Sequence, residues 1–124
     1  MNHQPPLRHP GILSAESTRH GGISPAPYAS LNLGWNTDDD PDKVRENRRR
    51  FLQYLQATPD QLVESHQIHG REVLHARQPG RAHGYDAIIT QTPGLPIGVF
   101  TADCCPILLY DTRQHAIAAI HAGW

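Results

Sequence analysis

One thiol and two imidazoles stand at the ends of apolar runs in this chain, and together they could hold a metal ion. Cys104 sits within Thr101-Ala102-Asp103-Cys104-Cys105-Pro106, between the runs Ile97-Gly98-Val99-Phe100 and Ile107-Leu108-Leu109-Tyr110. His121 ends a third run, 116–120, 17 positions after Cys104. His69, in Gln67-Ile68-His69-Gly70, lies 35 positions before Cys104. These residue types, each at the edge of a strand, predict a three-ligand zinc site with an open fourth position. One thiolate with two imidazoles is a borderline donor set, which favours zinc over softer or harder ions. The spacing matches no closed structural zinc motif, and ligands drawn from three separate strands are the pattern of a catalytic site. A multicopper cluster needs His-x-His pairs, and the chain has none.

The same residues support two rival readings. Cys104 could be a nucleophile activated by His121, as in a cysteine hydrolase. Alternatively Cys104 and Cys105 are small buried apolar residues of a binding module. Asp103 beside Cys104 argues against the second, because it puts a carboxylate where a plain core strand would not.

Composition narrows the classes. A chain of 124 residues buries one modest core and is read as a single domain, 1–124. The balance of 11 basic against 12 acidic residues gives no reason to expect nucleic acid or an anionic membrane as partner. No apolar run nears the roughly 18 residues of a membrane span. The N-terminus lacks the basic-then-apolar pattern of a secretory signal. Adjacent cysteines are a poor basis for a disulfide, so a cytoplasmic protein with reduced thiols is expected. Of the nine histidines, His3, His9, His83 and His115 sit among polar, Pro or Gly neighbours and read as surface residues.

The elements that must position the site follow from local pattern. Residues 1–11 carry three prolines and read as a loose, flexible arm. A first strand is expected at 12–17, then a sharp turn at Gly21-Gly22. Arg19 beside that turn is a candidate to bind an anionic group together with exposed backbone N–H groups. A short strand is expected at 28–34. Asp38-Asp39-Asp40 before Pro41 predicts an N-cap and a helix from Pro41 to Gln56, with Val44, Phe51, Leu52 and Leu55 on its inner side. The arginines at 48–50 read as a solvated face. Strands are expected at 63–69, at 72–76 as its return, and at 85–90, with a loop over 78–84. His66 and His69 would then point to opposite faces. His69 is favoured for the site because Gly70 permits a close approach.

From residue 97 onward the apolar runs are nearly continuous, as in strands covered on both faces. Such a sheet needs helices on each side, and only one strong helix is visible. The chain is therefore expected to be the N-terminal part of a longer fold, incomplete at its C-terminus. Its unpaired strand edges would favour self-association, and the chain alone is expected to be insoluble, oligomeric or an inactive fragment.

With these motifs in order, the chain resembles the YfiH family of laccase-domain, polyphenol oxidase-like proteins described as purine nucleoside phosphorylases. The resemblance rests on 18–24, 27–34, 39–48, Gln67-Ile68-His69-Gly70, Tyr85-Asp86-Ala87, Thr101-Ala102-Asp103-Cys104 and His121-Ala122-Gly123-Trp124. It implies an α/β fold, an α/β/α sandwich with a mixed sheet. It implies zinc held by His69, Cys104 and His121, with copper, which the laccase name suggests, the less favoured ion. It also implies phosphorolysis of adenosine, inosine and methylthioadenosine, and deamination of adenosine, so that purine nucleoside and phosphate are the expected partners. Members run to about twice this length, and Cys105 stands where they carry an aliphatic core residue.

Overall fold

Asp40 starts the only α-helix among the described residues by the means its neighbours suggest. The structure is a computed structural model and describes residues 5–123; residues 1–4 of the expected arm and Trp124 lie outside them. The chain divides into two compact units, 1–59 and 60–124.

In the first unit, helix α1 spans Pro41–Leu52, with the Asp40 side chain accepting from the Asp42 N–H and proline in the first turn. A 3-10 turn, Gln53–Leu55, follows and ends at Gln56 in the left-handed region. The expected helix is thus confirmed, with its last turn tightened. Its buried residues are Val44, Asn47, Arg48 and Leu52, so half of its inner side is polar. Arg48 departs from the expected solvated face. Its Nε donates to the Leu33 carbonyl at 2.8 Å and its guanidinium lies 4.5 Å from the Trp35 ring centre. Arg49 and Arg50 do lie outward, on Glu46. Their hydrogen bonds hold the Glu46 carboxyl down at about 2.

No strand forms at 12–17 or 28–34. The backbone there bonds to itself across irregular loops: Ser30 and Leu31 donate to the Arg19 carbonyl and Ser24 donates to that of Ser30. Asn47 collects these loops. Its Oδ1 accepts from Ile23 N–H at 2.9 Å, and its Nδ2 donates to Ser24 Oγ and to the Asn32 carbonyl, each at 2.9 Å. Residues 7 and 14 are tied by a pair of bonds, Leu7 N–H to Ser14 Oγ and Ser14 Oγ to the Leu7 carbonyl.

The second unit holds six strands. They are β1 Val63–His66, β2 Val73–His75, β3 Gly80–His83, β4 Ala87–Thr90, β5 Cys105–Asp111 and β6 Ala116–Ala122. They form a two-stranded parallel sheet, β1-β3, and a mixed four-stranded sheet in the order β2-β4-β6-β5. Two expectations change. β2 is not the return of β1; it lies parallel to β4 in the other sheet. The expected loop at 78–84 contains β3, whose Gly-Arg-Ala-His sequence has no apolar alternation to announce it. Val63, Ala76, Ile88 and Leu95 form the core of this unit, with Leu74 and Ile97 packed against them. Burying a side chain such as Ile88, 1% exposed, contributes about 2 kcal/mol.

Strand β6 lies between two partners, antiparallel to β4 and to β5. On β5, Ile107 is 38% and Leu109 53% exposed, so the lack of cover expected for this sheet is seen there.

Candidate metal centre

The antiparallel pairing of β4 with β6 brings together residues 35 positions apart. Ala87 opposes Ile120, so the next pair outward is Asp86 with His121, and His121 N–H donates to the Asp86 carbonyl at 2.7 Å. Their side chains continue the contact, with Asp86 Oδ2 2.7 Å from His121 Nδ1 and both residues buried. At the other edge of β6, Ala122 pairs with Cys105, which brings Cys104, just before β5, to the same end of the sheet.

His69 arrives on a loop. Strand β1 ends at His66, earlier than expected, and His69 takes a left-handed φ of 61°. A non-glycine residue in that region needs outside support. Asp86 supplies it: Oδ1 accepts from the N–H groups of Ile68 at 3.1 Å and Gly70 at 2.9 Å, and Oδ2 from that of His69 at 2.9 Å. Gly70 is not needed for a close approach. A Cβ there would meet only ordinary contacts, the nearest at 3.4 Å from an Ile68 side-chain carbon. Gln67 supports the other side of the site. Its side chain exchanges two bonds with the Phe100 backbone, at 2.7 and 2.8 Å, holding the segment that leads to Cys104.

Ligand atoms of His69, Cys104 and His121 all lie within 4.8 Å of one another. The two rings stand edge to face, centroids 4.9 Å apart. Atoms bound to one tetrahedral zinc stand roughly 3.5 Å apart, so the set closes on an ion by shifts of about 1 Å. His69 is exposed, Cys104 half-buried and His121 buried, leaving one side of the group open. Cys104 and His121 stand at strand ends as expected, while His69 sits on a loop three residues beyond β1. Cys105 is exposed and its Sγ lies 3.7 Å from the Pro106 carbonyl oxygen, so it is not the core residue expected.

Burial pushes the Asp86 carboxyl up. The hydrogen bond from His121 and those from the N–H groups of Gly70, Ile68 and His69 outweigh it and bring the carboxyl down to about 2. An ionised Asp86 accepts a hydrogen bond from His121 Nδ1–H, which leaves Nε2 as the ring atom with a lone pair for a cation.

The family described as multi-copper polyphenol oxidoreductase laccase matches residues 14–124. The chain belongs to this family. A purine nucleoside phosphorylase of Deinococcus radiodurans is 45% identical over 122 residues, covering 97% of this chain and 47% of the relative. The purine nucleoside phosphorylase YfiH of Escherichia coli is 42% identical, covering 92% and 47%. The crystal structure of YlmD from Geobacillus stearothermophilus superposes with a TM-score of 0.88 at 30% identity, over 93% of this chain and 46% of that one. The mixed α/β fold expected from the sequence is therefore the fold of the family. The chain spans about half the length of the curated relatives it matches.

The family's description names copper, while this donor set, one thiol and two imidazoles, is equally suited to zinc. Arg19 lies in the first unit, exposed, with Nε donating to the Ala29 carbonyl at 3.3 Å. The turn beside it has no spare amides at His20, Gly22 or Ile23, whose N–H groups bond to Thr18, Ser30 and Asn47. Asp86 and Gln67 carry the construction of the site, yet residue type marked neither. Only their place in the shared motifs Tyr-Asp-Ala and Gln-x-His-Gly singled them out. Among the described residues no helix is long and apolar enough to cross a membrane.

Proposed function

We propose that this chain carries the metal centre of a zinc-dependent purine nucleoside phosphorylase acting on adenosine, inosine and methylthioadenosine, with adenosine deamination as a second activity. The observation that carries the reading is the convergence of His69, Cys104 and His121, whose ligand atoms lie within 4.8 Å of one another. Three protein ligands and an open position are the arrangement of catalytic zinc. The curated relatives named purine nucleoside phosphorylase supply the substrate class. Bound zinc would supply Lewis acidity at the open position. In phosphorolysis a phosphate oxygen bonds to ribose C1′ as the bond from C1′ to the purine nitrogen breaks, and the base leaves with a proton. In deamination water adds at purine C6 and ammonia leaves. Arg19, exposed in the first unit, is our candidate for binding an anionic group. The unpaired thiols of Cys104 and Cys105 suit a reducing, cytoplasmic setting.

A protein carrying the intact family fold should release adenine from adenosine only when phosphate is present, and His69→Ala or Cys104→Ala should abolish the release. Base and free ribose formed without phosphate would replace phosphorylase with hydrolase.

A second reading is kept by one contact. Asp86 on His121, with Cys104 alongside, has the order of a carboxylate–imidazole–thiol triad. Turnover that survives exhaustive chelation but not Cys104→Ser would select it.

A further inference from the structure

We infer that Asp86 is the positioning residue of this centre: one carboxylate sets both histidines before any ion arrives and leaves Cys104 to complete the group. The inference rests on reading the three residues as metal ligands, and it concerns how they come to be placed.

The geometry divides the group unequally. His121 is fixed through its backbone N–H to the Asp86 carbonyl and through Nδ1 to Oδ2, each at 2.7 Å. His69 is fixed through the three successive N–H groups of Ile68, His69 and Gly70, all on the same carboxylate. Both oxygens of Asp86 are thus shared between the fold and the site, Oδ1 with two amides and Oδ2 with one amide and the imidazole. No other side chain is bonded to both histidine segments among the described residues. Cys104 is not tied to Asp86; it is carried by the end of β5 and by the Gln67 clasp on Phe100.

The sharing makes the charge indispensable at this position. An asparagine has the same outline but only one oxygen, and its NH2 would face either the amides of Ile68 and Gly70 or the His69 amide together with the Nδ1 proton of His121. It cannot serve both. With Nδ1 occupied by Asp86, His121 can meet an ion only through Nε2, and the charged acceptor also makes that nitrogen a better donor. A residue that merely stabilised the loop would have no reason to fix a tautomer.

The test uses the full chain in two parts. In metal-free wild-type protein, nitrogen-15 spectra should show His121 as the Nδ1–H tautomer; an Nε2–H tautomer overturns the inference, whatever the protein binds. In Asp86→Asn, zinc affinity measured by competition with a chromophoric chelator should fall about 10- to 100-fold. Unchanged zinc affinity in a folded Asp86→Asn protein also overturns it. If the variant does not fold, the wild-type tautomer decides alone. If wild type takes up no zinc, the metal reading falls, and the tautomer still decides the role of Asp86.

Discussion

Asn47 in the first unit and Asp86 in the second have side chains of nearly the same shape, 0% and 2% exposed, and each gathers loops that form no ladder. Asn47 binds Ile23, Ser24 and Asn32 with one acceptor and one donor group, so its amide is matched to neutral partners. Asp86 meets donors alone: three amides and an imidazole. A neutral side chain suffices where the task is to join loops. A carboxylate suits a place where every bonded partner is a donor and a cation is to be received nearby. Together with a Cys104 thiolate it would balance the two charges of a zinc ion. The neutral hub marks structure; the charged hub marks the site.

The comparison breaks first at Gly22, on the neutral side. A Cβ there would overlap the Ser30 carbonyl oxygen and lie 2.6 Å from both Asn47 Oδ1 and the Leu31 Cα. Two of these are backbone atoms or their direct neighbours, so no side chain can swing away. Gly22→Ala should displace the loops from Asn47 and cost about 3 kcal/mol, read as a lower denaturation midpoint. A change below about 0.5 kcal/mol would show that the Asn47 hub is not the joint of the first unit.

The charged side sharpens in acid. The ordinary carboxyl value is 3.8 and Asp86 is held near 2, so the folded state binds its proton less tightly than the unfolded one. Its contribution is then complete above about pH 4 and lost as pH falls through about 2, a total of about 2 kcal/mol. Glu46 is depressed into the same window by Arg49 and Arg50, so a single acid titration mixes the two. The difference between wild type and Asp86→Asn removes the Glu46 part. That difference should shrink as pH falls from 4 to 2; a difference constant with pH would mean that the charge of Asp86 gives the fold no stability.

The ligand trio could be found in the sequence because thiols and imidazoles are rare types beside apolar runs, and helix α1 because Asp40 and Pro41 mark its start. The two hubs could not be found by residue type. Asp86 acts through the pairing of β4 with β6, which links positions 35 apart and is set by tertiary register. Asn47 and Arg48 are polar residues on a buried helical side, where periodicity expects apolar ones. Strand β3 depends on its backbone pairing with β1 and on Arg81 near Glu64, at 3.8 Å, rather than on any apolar pattern. At 28–34 an irregular loop replaced an expected strand, because the amides of Ser30 and Leu31 found the Arg19 carbonyl instead of a ladder.

The smallest effect is expected at the glycine that the sequence made most suspect. Gly70 sits beside His69 and is expected from the sequence to permit a close approach there. The left-handed residue is His69 itself, at φ 61°, and a Cβ on Gly70 would find an Asp86 oxygen at 3.7 Å and Ile68 carbons at 3.4 and 3.5 Å. What Asp86 takes from residue 70 is its N–H, and alanine has one. Alanine also gives the unfolded chain fewer conformations to lose. Gly70→Ala should therefore change stability by no more than about 0.5 kcal/mol, with a slight gain the expected sign, and leave zinc affinity unchanged. A tenfold loss of zinc affinity in the folded variant would return the conformational demand to Gly70, and it would separate the fixing of His69 from the carboxylate beneath it.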